Sequence, residues 1–192
     1  MDLSQYLRAK RIEFSCPRFY TAGMTKRIGT CSIPVMQMGE GVEWGLHCLM
    51  ALVWLEEQGP VAAGRLAEVF ELPPEYLKKR LQPLVRAGIL ASTPGARGGY
   101  SLARAPEKIT LMDVVAAVEG REDAFRCTEI RQQGAGVLAS VGEFGRPCGV
   151  AAAMRRAEMA WRRELAAQTL ADLLGVAPAG AAGRVRRFHQ SR

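Results

Sequence analysis

The sequence lacks an apolar run long enough to span a membrane, and its N-terminus, MDLSQYLRAKRIEF, lacks the apolar core of a signal peptide. These absences predict a cytoplasmic protein with no membrane partner. The sequence also lacks a nucleotide-binding loop of the GxxxxGK type and any recognisable set of nucleophile, base and acid. We therefore do not expect an enzyme. Histidine is scarce, since only His47 and His189 occur in 192 residues.

Cysteine is present in an odd number and at wide spacing, unlike the dense pattern of a small secreted disulfide scaffold. The five are Cys16, Cys31, Cys48, Cys127 and Cys148. In a reducing compartment, such cysteines are structural, metal-binding or redox-active. Spacing alone does not choose among these roles.

Positive charge is concentrated at the two ends of the chain, although the whole carries a formal net charge of +7. Residues 1–35 contain six Lys or Arg and two acids, and residues 178–192 contain four Arg and no acid. Within the middle, residues 61–108 hold eight bases against four acids. A local basic excess is typical of a surface that contacts nucleic acid.

The segment from residue 40 to 108 predicts three helices followed by a β-hairpin. An apolar helix covers residues 40–58 and ends at Gly59-Pro60, and a short helical face follows at Leu66, Val69 and Phe70. A third helix starts at Pro73-Pro74, and its apolar stripe recurs at helical spacing. Pro83 interrupts this helix, so we expect a kink near Lys79 or an early end. The runs ILAST and GYSLAR, separated by PGARG, predict the hairpin.

The second half of the chain predicts helices joined by an irregular loop. Thr110 and Asp113 form a capping box for one helix, which ends at Gly120. Residues 121–147 are rich in glycine and look irregular, and a long helix starts near Cys148. Its apolar stripe, which requires the rest of the domain or a second subunit as partner, consists of Val150, Met154, Ala157, Trp161 and Leu165.

The predicted order is two helices, a third helix that starts at a proline, and a β-hairpin. This is the order of elements in a winged helix-turn-helix. The predicted fold class is therefore mainly α with a small β-hairpin wing. In such a fold the third helix enters the DNA major groove, and the wing reaches the backbone or the minor groove.

The motifs RGGYSLAR at 97–104 and ITLMDVVAAVEG at 109–120 resemble the dimeric winged-helix regulators typified by IscR and NsrR. The resemblance runs from about Met36 to Gly175. It implies a homodimeric transcription regulator that binds double-stranded DNA, whose long helix crosses its twin. The loop before that helix usually supplies three closely spaced cysteines to an iron–sulfur cluster.

With this resemblance, the chain divides into six predicted segments. They are an N-terminal extension without order (1–35), a winged helix-turn-helix (36–108), a connecting helix (109–126), a cluster-binding loop (127–148), a dimerisation helix with a short last helix (149–176) and a basic, disordered tail (177–192).

The chain departs from the family pattern because its loop contains only Cys127 and Cys148. A cluster normally has four protein ligands. Glu43 and His47 are four residues apart in GVEWGLHC, so both leave the same side of a helix. GVEWGLHC resembles the start of RsrR, a redox-sensing branch of the family that binds a two-iron, two-sulfur (2Fe-2S) cluster through two Cys, one Glu and one His. The resemblance gives those roles to Glu43, His47, Cys127 and Cys148, with Glu and His supplied by the other subunit.

Ligands other than thiolate raise the reduction potential of such clusters, and His47 could couple a proton to the electron. Both properties favour a redox sensor. Trp44, beside Glu43, is a candidate relay whose ring changes position with the cluster's charge.

Other interpretations remain open at the sequence level. Glu43 and His47 are compatible with an ordinary helix ion pair. Cys127 and Cys148 are compatible with a disulfide switch. A cluster-free relative regulated by docking a partner enzyme is the alternative function. Cys48 points about 100° away from His47 on a helix and is expected to be a core residue.

The polar face of the third helix and the wing supply the predicted DNA contacts, which are Tyr76, Lys78, Lys79, Arg80, Gln82 and Arg97. The resemblance favours Tyr76. The basic residues of the helix would neutralise phosphates, which makes binding dependent on salt. Arg97 at the wing tip suits a narrow minor groove.

Overall fold

A computed structural model describes residues 38–95, 97–140 and 142–191 of the chain. The predicted N-terminal extension, residues 1–35, lies outside these described residues. No helix in the described ranges is long and apolar enough to cross a membrane.

Three helices form the first part of the fold: α1 (Glu40–Trp54), α2 (Ala63–Val69) and α3 (Pro74–Arg86). The helix predicted over 40–58 is α-helical only to Trp54, and a 3-10 turn covers Glu56–Gln58. Pro74 occupies the first turn of α3, where its missing N–H costs no hydrogen bond. The predicted stripe on α3 packs inward, because Leu77, Leu81 and Leu84 are fully buried.

Of the two alternatives predicted for α3 at Pro83, a kink near Lys79 or an early end, the early end is wrong. The helix continues to Arg86, and the backbone N–H of Ala87 donates to the carbonyl of Pro83 at 2.9 Å. Proline removes the hydrogen bond to the carbonyl four residues back. That carbonyl belongs to Lys79, an exposed residue. Burial of the leucine stripe therefore holds the helix together across the proline.

The hairpin consists of β1 (Leu90–Thr93) and β2 (Gly99–Leu102), which pair antiparallel with Leu90 opposite Leu102. Tyr100 extends the pairing by exchanging two backbone hydrogen bonds with Val61. A Cβ atom on Gly99 would lie 2.3 Å from the carbonyl carbon of Val61. Gly99, the second glycine of the RGGYSLAR motif, is thus required because two backbones approach each other closely there.

The helix α4 (Leu111–Glu119) begins at the predicted capping box, in which both reciprocal hydrogen bonds are present. It is shorter than the predicted connecting segment, since Gly120 ends it with φ of 94°. Arg104 links the exit of the wing to this helix. Its guanidinium donates to the carbonyl of Gly88 at 3.1 Å and lies 3.6 Å from the carboxylate of Asp113.

An irregular segment with two 3-10 turns, Ile130–Gln132 and Gly134–Leu138, leads to the long helix α5 (Gly149–Ala167). The short helix α6 (Leu170–Gly175) follows and has its own capping box at Thr169. An antiparallel bridge between Thr110 and Thr169 ties the starts of α4 and α6 together.

The disorder predicted for residues 177–192 is wrong for Ala181–Gln190, which form a seventh described helix, α7. This helix packs on α1 and α2. Arg186 donates to the carbonyl of Trp54 at 2.8 Å, and Arg65 of α2 donates to the carbonyl of His189 at 2.6 Å. Composition suggested a solvated tail, but Ala181 and Val185 face the core and fix the helix in place.

The described residues are mainly helical and include a two-stranded antiparallel hairpin, as the sequence predicted. The core lies between α1, α3, α4 and the hairpin. The side chains at its centre are Leu49, Leu55, Leu66, Leu77, Leu81, Leu84, Ile89 and Val114.

Replacing Thr110 with alanine should lower the free energy of unfolding by about 1 kcal/mol, because the N–H of Asp113 loses its acceptor. Urea denaturation of the metal-free protein measures this. Thr93→Ala is the control, since Thr93 is exposed and should change that free energy by less than about 0.5 kcal/mol. Equal losses in both variants would contradict a stabilising role for the capping box.

Candidate metal centre and nucleic-acid interface

Cys127 and Cys148 lie together although 21 positions separate them in the chain. Their sulfur atoms and a carboxylate oxygen of Glu129 all lie within 4.8 Å of one another. Both thiols are free, with Cys127 exposed and Cys148 buried. This is the only such group of three or more possible metal ligands within the described ranges.

The two thiols differ because Cys148 stands immediately before the first residue of α5. The backbone N–H groups of Ala151 and Val150 lower the pKa of the Cys148 thiol, and Arg131 adds to this effect. The backbone N–H of Glu129 alone would lower the pKa of Cys127, but desolvation and the neighbouring Cys148 outweigh it and raise that pKa. A helix N-terminus thus favours the thiolate at Cys148.

Arg131 organises the residues around the two thiols. Its Nε donates to Glu129 Oε2 at 2.8 Å, and a terminal nitrogen donates to the carbonyl of Arg146 at 3.0 Å. The guanidinium also lies 5.2 Å from the centre of the Phe144 ring. Arg131 therefore joins the two ends of the loop and brings a positive charge beside the cysteines.

Glu43 and His47 are both exposed on α1, one turn apart. They line an apolar groove of about 590 Å³ whose walls include Leu46, Met50 and Val176. The ring of His47 lies 5.8 Å from that of Phe70. Within one protomer these two side chains do not join the group formed by the cysteines.

Cys48 is fully buried, and burial raises the pKa of its thiol to about 12. In the metal-free protein a thiol of this kind stays protonated at neutral pH. The sequence-based assignment of Cys48 to the core is confirmed.

Trp44 connects α1 to α3. Its ring meets that of Tyr76 edge-on, with centroids 5.3 Å apart and an interplanar angle of 78°. The guanidinium of Arg80 lies 4.6 Å from the centre of the Tyr76 ring and donates a hydrogen bond to its hydroxyl. That bond raises the pKa of Arg80, and the nearby carboxylates of Glu119 and Glu40 raise it further.

The side chains predicted to contact DNA differ in their solvent exposure. Tyr76, Lys78, Lys79 and Gln82 are exposed on α3, and Arg97 is exposed at the tip of the wing. Arg80 is half-buried and engaged with Tyr76.

Comparison with known proteins identifies the family. The family model described as "Rrf2: Iron-dependent Transcriptional regulator" matches residues 38–175. The chain belongs to the Rrf2 family. It is 34% identical to YwgB of Bacillus subtilis (strain 168), over 73% of this chain and 87% of that protein. YwgB is named as an HTH-type transcriptional regulator.

Solved structures agree with this membership. CymR of Staphylococcus aureus superposes with a TM-score of 0.53 at 26% identity, over 73% of this chain and 100% of that one. IscR of T. potens superposes with a TM-score of 0.55, over 76% of this chain and 90% of that one. Because the two chains are only 23% identical, this superposition shows a shared fold and no more. This Rrf2 protein is a DNA-binding transcription regulator and not an enzyme.

Sequence reasoning missed three features of this Rrf2 protein. Glu129 joins the cysteines, and its position two residues after Cys127 was the only signal for it. Arg131 could not be assigned, because its role depends on the fold of the loop. The helix α7 lies outside the matched family segment. His189, which falls in the tail predicted to be disordered, is half-buried, and desolvation and Arg65 lower its pKa.

Alkylation of the reduced, metal-free protein should distinguish the three described cysteines. Because the thiolate is the reactive form, Cys148 should react with iodoacetamide from a lower pH than Cys127, and Cys48 should stay unmodified in the folded state. Mass spectrometry of the peptides across a pH series measures this order. Modification of Cys48 without unfolding, or reaction of Cys127 at lower pH than Cys148, would contradict the assigned environments.

Proposed function

We propose that this protein is a homodimeric redox sensor of the cytoplasm. Its binding to operator DNA is controlled by the oxidation state or the presence of a 2Fe-2S cluster. Cys127 and Cys148 of one protomer and Glu43 and His47 of the other are the proposed ligands. This makes it a relative of the RsrR branch of the family.

The observation that carries this proposal is the approach of Cys127 and Cys148 within one protomer. Two neighbouring thiols, one of them at a helix N-terminus, are suited to hold one iron. The loop between them contains no further cysteine, so two more ligands are required. The donor set of two thiolates, one carboxylate and one imidazole fits a 2Fe-2S cluster.

Sharing of the site between subunits is supported by apolar surface that a single protomer leaves uncovered. Ile130, Val137 and Leu138 of the loop are 72%, 76% and 89% exposed. Val150 and Met154 on α5 are also exposed, although they belong to the apolar stripe of that helix. Such patches mark an interface. A second copy would cover them and could bring its groove, with Glu43 and His47, to the cysteines.

The bound cluster would supply a one-electron redox couple whose potential is raised by the nitrogen and oxygen ligands. The chain's own residues set the response around it. Arg131 offsets the negative charge of the thiolates, and His47 would supply the nitrogen ligand that raises the potential. These roles favour a reversible sensor.

The contact between Trp44 and Tyr76 is the proposed route to DNA. Trp44 adjoins Glu43 on α1, and Tyr76 is exposed on α3, the helix expected to enter the DNA major groove. A shift of the Trp44 ring would release or reorient Tyr76, and with it Arg80, which Tyr76 holds. DNA contacts from Tyr76, Lys78, Lys79, Arg80, Gln82 and Arg97 complete the proposal.

A disulfide between Cys127 and Cys148 is the second candidate, favoured by the same proximity of two free thiols. It would make the protein a thiol switch without a cluster. Sulfide analysis separates the two candidates, because a thiol switch binds no inorganic sulfide.

Anaerobically purified protein should contain two irons and two sulfides per protomer, the stoichiometry of one 2Fe-2S cluster, and its absorption spectrum should change on addition of dithionite. Glu43→Ala and His47→Ala should each lose most of the sulfide and the absorption of the cluster, whereas Glu57→Ala, an exposed position after α1, should not. Colourless, iron-free wild-type protein would rule out the cluster.

Sharing between subunits can be tested by complementation. One protomer carries Cys127→Ala and Cys148→Ala, and the other carries Glu43→Ala and His47→Ala. Co-expression should restore one of the two clusters of the dimer, because the intact cysteines of one protomer meet the intact Glu43 and His47 of the other. Iron-free mixed dimers would contradict sharing.

Trp44→Ala should keep the cluster but reduce the difference in DNA affinity between the oxidised and reduced forms, because Tyr76 loses the ring that contacts it. Fluorescence anisotropy with a duplex selected by this protein from a random library measures both affinities. Trp54→Phe, at the other end of α1, is the matched control. An unchanged affinity difference in Trp44→Ala would disprove the relay.

A further inference from the structure

Glu129 has the position of a metal ligand within its own protomer. The Sγ of Cys127 lies 3.8 Å from Oε1 of Glu129. A tetrahedral zinc ion, with Zn–S of about 2.3 Å and Zn–O of about 2.0 Å, requires a sulfur–oxygen separation of about 3.5 Å. The three ligand atoms therefore need to move only slightly to surround one ion.

The backbone and Arg131 together aim the Glu129 carboxylate at the thiols. Glu129 has φ of 52°, a conformation that only Glu71 shares among the described non-glycine residues. Arg131 occupies Oε2 at 2.8 Å, which leaves Oε1 facing Cys127. An outer partner of this kind fixes the orientation of a ligating carboxylate.

We propose that Cys127, Glu129 and Cys148 of one protomer bind a single thiophilic divalent cation, zinc or ferrous iron, without the partner's Glu43 and His47. Thiolate ligands select such ions over magnesium or calcium. Two thiolates and one carboxylate exceed the charge of the ion by one negative charge, and Arg131 offsets it. Three protein ligands leave the fourth tetrahedral position open.

This inference rests on the proposed function only because the cation and the proposed cluster would use the same two ligands, Cys127 and Cys148. A protomer that has no cluster would keep its two thiols together around the ion and protected from disulfide formation. Glu129 would thus stabilise the cluster-free state, and Glu43 with His47 would serve the cluster.

The test uses the full-length, reduced and metal-free protein with Cys16→Ser and Cys31→Ser, which removes the two cysteines outside the described residues. Cobalt(II) is titrated as a spectroscopic probe and then displaced with zinc. We expect one cobalt per protomer, with a thiolate-to-cobalt charge-transfer band and the visible bands of a tetrahedral site. Glu129→Gln should weaken cobalt binding at least about tenfold. Loss of a residue that only orients a metal ligand already weakens metal binding by about tenfold or more, and loss of a ligand itself should cost no less.

Glu122→Gln is the matched control, since Glu122 is exposed and lies five residues before Cys127. Glu122→Gln, Glu43→Gln and His47→Gln should each bind cobalt like the parent, and circular dichroism verifies that every variant is folded. Equal binding by Glu129→Gln and Glu122→Gln would overturn the proposal. Equal weakening by Glu43→Gln would overturn it as well, because the ion would then require the partner.

The result is independent of the cluster measurement. Cobalt binding that depends on Glu129 in a protein that never carries iron and sulfide supports this inference and contradicts the proposed function alone. If the protein carries a normal cluster and Glu129→Gln leaves cobalt binding unchanged, the proposed function is supported and this inference alone is contradicted.

Discussion

Burial of one face of α1 is the constraint on which the rest of the site depends. Cys48, Leu49 and Ala51 are fully buried, and the packing of this face against α3 and α4 fixes the rotation of the helix about its axis. Once that rotation is fixed, the helical period turns Glu43 and His47 toward the groove and Trp44 toward α3. The same packing thus sets the proposed ligands and the proposed relay.

The loop from 127 to 148 is held in place differently, because few of its described residues are buried. Its ends are held by Arg131, which bonds to Glu129 and to the carbonyl of Arg146, and by the start of α5. Few buried contacts leave such a segment low in local stability. A metal ion or cluster that binds the thiols would therefore contribute much of the order of this loop.

Agreement between local signals explains how well the fold could be predicted. The capping box at Thr110, the stripe of Leu77, Leu81 and Leu84, and the hairpin around Gly99 each have a physical cause within a few residues. The misassigned parts lack such a local cause. Pro83 remains inside α3 because buried leucines outweigh its lost hydrogen bond, and α7 is ordered by contacts with Trp54 and Arg65 far away in the chain.

The sequence by itself determined the family, the winged helix-turn-helix order and the shared face of Glu43 and His47, because these follow from short motifs and from the period of a helix. Only the tertiary structure decided that Cys127 and Cys148 meet, that Glu129 joins them and that Trp44 touches Tyr76. The physical reason is that these contacts join residues whose distance depends on how loops close and helices pack. No local pattern in the chain encodes that distance.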